Sequence, residues 1–154
     1  MTVGIHIIAD LYGVDEELIS TSENVVALIE EAVKVGNLKE KGKNVREIIE
    51  TIHECTIMLL SSYGIKARSE LGKETGVWVG SRKIASTGIA VIGFTTLHGS
   101  ALNVSTDLAK FSLIHPCGFD SSIMTSMERE IGKDMDLSDV KGKLRAIIAE
   151  TVGV

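Results

Sequence analysis

The chain is short of several things, and each shortage removes a class of protein. It has two cysteines, Cys55 and Cys117, and one proline, Pro116. Two cysteines cannot form a disulfide framework, which points to reduced thiols and a cytoplasmic setting. No run of about eighteen apolar residues occurs, so no transmembrane helix is expected. The first residues show no basic stretch followed by an apolar core, so no secretory signal is expected either. Positive charge is scarce: 16 Lys and Arg against 21 Asp and Glu leave a formal net charge of −5. A surface of that sign has no general attraction for nucleic acid or anionic lipid, and neither is expected as a partner. The four histidines lack metal-ligand spacing. No phosphate loop with its lysine occurs, and no Gly-x-Ser-x-Gly elbow. No metal and no cofactor is therefore expected.

What is present suits one ordinary globular unit. A length of 154 residues fits a single domain spanning 1–154, with 44% hydrophobic and 24% charged residues. Val3 to Asp10 is a short β-rich run. Asp15 to Val35 carries Leu18, Val25, Val26, Leu28, Ile29, Ala32 and Val33 at helical spacing, which predicts a helix stopped by Gly36-Asn37. The polar stretch Lys39 to Asn44 is the one plausible junction, near 39–44. A second helix is predicted over Val45 to Ser62, burying Ile48, Ile49, Ile52, Cys55, Leu59 and Leu60 and closed by Tyr63-Gly64.

From Ile65 the period changes. Segments at Ile65–Ala67, Gly76–Val79, Lys83–Ile92 and Thr95–Asn103 are short, β-branched and separated by glycines or charges, as in an antiparallel meander. A loop holding Pro116 follows, then a short helix near Ser122–Ile131. A last helix with Ser138 as N-cap should bury Val140, Leu144, Ile147 and Ile148. Helices with a meander make an α+β domain of two layers.

Cys117 stands in His115-Pro116-Cys117-Gly118. The proline fixes the backbone approach and the glycine leaves room beside the thiol. An attacking thiolate needs a nearby positive charge or base, for which Lys83, His98 and His115 are candidates. On local sequence alone, the commoner role of such a cysteine is a small buried group in a turn. Lys83, at the start of a strand, reads first as a solvated charge that discourages edge pairing. Ser86-Thr87-Gly88 and His98-Gly99-Ser100 offer hydroxyls and unhindered backbone, suited to a bound acyl chain or equally to a bulge. His53 and Cys55, two apart on a helix, face different sides and cannot share a metal well.

Three segments taken together are more specific: Gly76-Val77-Trp78-Val79-Gly80 leading to Lys83-Ile84-Ala85-Ser86, Leu97 to Val104, and Phe111 to Gly118 followed by Thr125-Ser126. In that order and at these spacings they resemble the lipoyl(octanoyl) transferase family, of the lipoate-protein ligase B type, over about Asn44 to Ser126. The resemblance implies the biotin/lipoate transferase fold, a mostly antiparallel mixed sheet packed by helices. It implies octanoyl transfer from octanoyl-acyl carrier protein to a lipoyl-domain lysine through a thioester on Cys117, with Lys83 lowering the thiol pKa and acting as acid/base. It matches Ser86, Thr87, Gly88, His98, Gly99, Ser100 and Ala101 to positions lining the acyl pocket. The acceptors it implies are lipoyl domains of 2-oxoacid dehydrogenases or the glycine cleavage H protein.

Two features depart from the family. Neither its Arg-Gly-Gly stretch nor its His-Gly-Pro-Gly-Gln stretch occurs in this chain. Residues 4–39 instead resemble the start of a prokaryotic S-adenosylmethionine decarboxylase, although the Glu-Ser pair at which that enzyme cuts itself is absent. The alternatives to an acyltransferase are thus a non-catalytic composite or scaffold lacking part of the acyl pocket, and a protein related to that decarboxylase.

Overall fold

A computed structural model describes residues 3–8, 25–27, 44–92, 95–106, 108 and 123–152. The best-defined local signal is at Asn44. Its side chain accepts from the Glu47 N–H at 3.0 Å while the Glu47 carboxylate accepts from the Asn44 N–H at 2.7 Å. This reciprocal capping box satisfies two otherwise unpaired donors and starts helix α1, Val45–Ser62. Tyr63 caps the far end, and Gly64 follows with φ 79°, a left-handed turn that a glycine takes without strain. Both limits agree with the sequence expectation.

Among the described residues, six strands form one sheet: β1, Val3–Ile8; β2, Val25–Ala27; β3, Arg68–Glu70; β4, Gly76–Val79; β5, Arg82–Ile92; β6, Thr95–Ser105. Their spatial order is β2-β1-β6-β5-β4-β3. The run from β3 to β6 is an antiparallel meander, β1 adds antiparallel to β6, and β2 pairs with β1 in parallel. The sheet is therefore mixed and mostly antiparallel. Helix α1 lies against the meander, and helix α3, Leu137–Val152, packs on α1. Between sheet and helices sits one core that includes Ile52, Leu59, Leu60, Val77, Ile84, Ala85, Leu102, Val104, Val140 and Leu144. Leu59, Leu60, Ile84, Leu102 and Leu144 have no measurable exposure, and each such burial is worth about 1.5–3 kcal/mol. Among the described residues, no helix is long and apolar enough to cross a membrane.

The structure corrects three local expectations. Val25–Ala27 is a strand, because the β-branched pair Val25-Val26 finds β1 alongside; the rest of the helix expected over Asp15 to Val35 lies outside the described residues. The first strand of the meander is at Arg68–Glu70 rather than Ile65–Ala67. Ile65 belongs to the end of α1: its N–H bonds the Leu60 carbonyl at 3.0 Å and its side chain is buried. Helix α3 begins one residue before Ser138. The Asp136 side chain accepts from the Ser138 N–H at 2.9 Å, so Asp136 does the capping. The short helix α2, Met127–Ile131, starts at the cap Ser126, inside the expected Ser122–Ile131.

Candidate functional site

The pairing of β4 with β5 contains one irregularity, and it shapes the site. Val77 faces Ala85, but the next residue, Trp78, faces Lys83, so β5 holds one extra residue, Ile84. Side chains on a strand alternate between faces, and a one-residue insertion resets that alternation. Residues directly opposite one another share a face, which puts Lys83 with Trp78, and Ser86 with Gly76. Gly76 and Trp78 are two apart, so all four lie together. Without the bulge, Lys83 and Ser86, three residues apart, would point to opposite sides.

Lys83 is not a solvated edge charge. It is 5% exposed, with Nζ 5.6 Å from the centre of the Trp78 ring. Its side chain runs over Gly76. A Cβ at position 76 would meet Lys83 Cε at 2.5 Å and collide with the Ala85 carbonyl. Glycine there is what lets the aliphatic stem pass close to the backbone. Beyond Ser86, the same face continues through Ala101, opposite Ser86, and through the opposed pair Gly88 and Gly99. Gly88 is exposed, and a Cβ built on it meets nothing within 4 Å among the described residues. Among the described residues, the result is an open floor of small residues with a buried ammonium at one end.

The segment around 124–130 is fastened to this end. Thr125 N–H donates to the Lys83 carbonyl at 3.0 Å, and Met124 pairs with Lys83 as a parallel bridge. Asn103, buried on β6, donates from Nδ2 to the Thr125 carbonyl at 3.0 Å and accepts from Thr106 Oγ1 at 3.3 Å. Arg82 grips Glu130 with two hydrogen bonds, of 2.9 and 2.8 Å. The Arg82 guanidinium holds the Glu130 carboxyl below its usual range, with help from the Thr125 hydroxyl. Residues 106 and 124–125, on either side of Cys117 in sequence, are thus brought to one place beside Lys83. Cys117 itself, with His115, Pro116 and Gly118, lies outside the described residues.

The opposite face of the same two strands is built differently. Thr87 and Ser100 face each other there, and their hydroxyls are 2.8 Å apart. His53 comes down from α1, fully buried, with Nε2 2.9 Å from Thr87 Oγ1 and Nδ1 2.6 Å from Ser69 Oγ on β3. Burial pushes its pKa down to about 4, and the positive charge of Lys83 adds to this against the weaker opposing pull of Glu50. His53 is therefore a neutral imidazole at neutral pH. Cys55, on the other side of α1, is buried, and burial raises its pKa while the Thr151 side chain of α3 bonds it.

Of the residues singled out in the sequence, Lys83, Ser86, Gly88, Gly99 and Ala101 share the open face. The side chains of Thr87 and Ser100 turn to the helix side. His98 pairs with Ile89 in β6, and its side chain lies outside the described residues. Sequence reasoning weighs His53 only as a poor metal ligand and misses its place here, yet a signal is present. It sits among Ile49, Ile52, Thr56 and Leu60 on the stripe facing the sheet, where a polar side chain must find partners.

Comparison with known proteins gives the family and the fold. The family model of the lipoyl protein ligase A/B catalytic domain matches residues 35–149, a longer stretch than the quoted motifs cover. An octanoyltransferase from Bacteroides fragilis is 42% identical over 113 residues, covering 70% of this chain and 51% of the relative. The crystal structure of lipoate-protein ligase A bound with ATP superposes with a TM-score of 0.59 at 18% identity, over 71% of this chain and 47% of the other. Biotin protein ligase from Aquifex aeolicus, in its apo form, also gives a TM-score of 0.59, at 16% identity, over 76% of this chain and 49% of the other. At such identities the likeness is one of fold, and it bears out the biotin/lipoate transferase architecture. The chain spans about half the length of the curated relatives it matches. It belongs to the lipoyl protein ligase A/B catalytic domain family.

Proposed function

We propose that this chain is the acyl-transferring part of an octanoyltransferase, working in lipoate biosynthesis in the cytoplasm. The Cys117 thiolate attacks the thioester carbonyl of octanoyl-acyl carrier protein. The C–S bond to the carrier breaks, the carrier leaves as a thiol, and the octanoyl group remains on Cys117. The amine of an acceptor lysine, on a lipoyl domain of a 2-oxoacid dehydrogenase or on the glycine cleavage H protein, then attacks that thioester. An amide forms and the Cys117 thiolate is released. Lys83 serves both steps. Its ammonium favours the thiolate and protonates the departing carrier sulfur, and the neutral amine this leaves takes the proton lost by the attacking acceptor lysine. The open face of Ser86, Gly88, Gly99 and Ala101 takes the acyl chain, with Thr87, Ser100 and His98 contributing backbone to the same strands.

The observation that carries this reading is the burial of Lys83 at the closed end of that face. The backbone there also receives Thr125, eight residues after Cys117. A lysine kept from water and set over Gly76 is poorly explained as a solubilising charge. The name of the Bacteroides relative supports the octanoyl group as cargo.

A second reading, a folded but non-catalytic scaffold, is favoured by one fact, the absence of the Arg-Gly-Gly and His-Gly-Pro-Gly-Gln stretches from the sequence. Incubation with octanoyl-acyl carrier protein followed by intact mass separates the two. A single octanoyl adduct that maps to Cys117, and is absent from Cys117→Ser, is the expected result. A clean unmodified mass, or an adduct on Cys55, would overturn the acyltransferase reading.

A further inference from the structure

Four polar side chains on the helix side of the sheet form one continuous chain, and counting protons gives it a direction. Ser100 Oγ donates to the Ser86 carbonyl at 3.2 Å. A serine hydroxyl has one proton, and with that proton on the Ser86 carbonyl Ser100 accepts in its 2.8 Å contact with Thr87, which donates. The Thr87 proton is then used, so Thr87 Oγ1 accepts from His53 Nε2 at 2.9 Å. His53 therefore carries its proton on Nε2, and Nδ1 accepts from Ser69 Oγ at 2.6 Å. Each hydroxyl proton and the imidazole N–H is used once, in one direction, from the exposed Ser69 to the Ser86 carbonyl. That end point decides what the chain can do. A backbone carbonyl has no proton to hand on, so the series orders the strand and does not conduct protons.

We infer that His53 is a positioning residue for acyl-chain binding: acting through Thr87 and Ser100, it fixes the backbone of Ser86, and so the floor beside Lys83. The link is short. Ser86 lies on the open face with Lys83, Gly76 and Ala101, while its carbonyl is held from the opposite side by Ser100. Thr87, the next residue, is held by a rigid, fully buried ring from α1. Helix α1 thereby dictates the backbone position of two consecutive residues of the strand that carries the floor. The acyl identity of the ligand rests on the octanoyl-transfer reading; the positioning of Ser86 does not.

Two conservative variants divide the histidine in half. A glutamine in its place can put an amide N–H near the position of Nε2, and an asparagine can put an oxygen near that of Nδ1. His53→Gln should keep the bond to Thr87 and lose the one to Ser69; His53→Asn should do the reverse. Steady-state octanoyl transfer is measured for both, and for Thr87→Val, which keeps the shape and removes the hydroxyl. In His53→Asn and Thr87→Val the KM for octanoyl-acyl carrier protein should rise by up to about tenfold while kcat stays within about twofold of wild type. His53→Gln should remain near wild type in both. Equal KM in all four proteins, or an equal rise in the Gln and Asn variants, would overturn the inference. Amide hydrogen exchange at Ser86, Thr87 and Gly88 gives a readout independent of turnover. It should quicken in His53→Asn and Thr87→Val and not in His53→Gln. If wild type transfers no octanoyl group, the function reading falls, and the exchange pattern alone still decides the role of His53.

Discussion

The two faces of strands β5 and β6 are built from alternate residues of the same sequence, yet they differ in almost every physical respect. On the helix side, Ala85, Leu102 and Val104 are buried, and the polar Thr87 and Ser100 are paired with each other and with His53. On the other side stand Ser86, Gly88, Gly99 and Ala101, small and at least partly exposed, ending at the buried Lys83. Among the described residues, the first face is full and the second is floored but not filled. A close-packed face with satisfied polar groups is stiff. A face of glycine, alanine and serine leaves volume for something else. A floor on which no described side chain packs is held from behind, by the stiff face.

Four experiments would break or sharpen this contrast, beginning with the largest effect. Lys83→Ala removes the ammonium from the open face and leaves the helix side intact. Octanoyl transfer should fall by a factor of about 10² to 10⁴, the usual worth of a positioned acid/base. Alkylation of Cys117 should slow, with its apparent pKa moving up towards about 8.5. Equal iodoacetamide rates in wild type and variant would show that Lys83 does not act on the thiol. Lys83→Arg should keep much of the thiol reactivity and lose the transfer.

Gly76→Ala attacks the passage under Lys83. Its Cβ would meet Lys83 Cε at 2.5 Å and press on the Ala85 carbonyl, where the backbone has φ 155°. Overpacking of this kind costs about 1–3 kcal/mol, read as a lower midpoint in denaturant. Transfer activity should drop as well, because the displaced group is the ammonium. Gly88→Ala is the natural partner, since no described atom lies within 4 Å of a Cβ there. Equal destabilisation by the two substitutions would contradict the contrast between an occupied and an open position.

The third experiment varies pH. The folded-state pKa of His53 is about 4, against 6.5 for a free histidine, so the unfolded chain takes up the proton first. Its contribution to stability is complete above pH 6.5 and is lost as pH falls from 6.5 towards 4. Thermal unfolding followed across that window should show a declining Tm, and His53→Gln should flatten the decline. Glu130, whose pKa is lowered by Arg82, loses its contribution at lower pH, below the ordinary carboxylate range, so the two effects separate. An unchanged slope in His53→Gln would mean that some other group titrates.

Tyr63→Phe is the smallest and serves as a control remote from both faces. Tyr63 Oη donates to Asp139 at 2.6 Å on the surface between α1 and α3, and Lys143 bonds the same carboxylate at 3.0 Å. Exposed networks of this sort contribute little, and the Tm should change by no more than about 2 °C. Octanoyl transfer should not change. A clear loss of transfer in Tyr63→Phe would tie the helix pair to the site in a way the geometry does not suggest.

Much of this architecture could be read along the chain because it depends on neighbours in sequence. Asn44 and Glu47, three residues apart, box the start of α1, and Tyr63-Gly64 ends it, so its limits needed no partner elsewhere. The meander followed from β-branched runs between glycines, and the closing helix from Val140, Leu144 and Ile148 at helical spacing. Local chemistry alone leaves some choices open. Asp136 and Ser138 are both good caps, and only the geometry of the helix start chooses between them. Val25-Val26 fits a helix by period and a strand by β-branching. The presence of β1 alongside settled it.

What the sequence determined by itself is the inventory: a cysteine in a Pro-Cys-Gly run, a lysine at the head of a strand, small residues at 86–88 and 99–101, and the order that ties them to a family. What the tertiary structure decided is which of them share a side. The extra residue Ile84 in β5 places Lys83 with Ser86, and the same alternation sends Thr87 and Ser100 to His53. A bulge is a mismatch between two strands, so it exists only once they pair, and no periodicity within one strand encodes it. The burial of Lys83 has the same origin. It depends on Gly76 and Trp78 of the neighbouring strand, which lie close to it only after the sheet has formed.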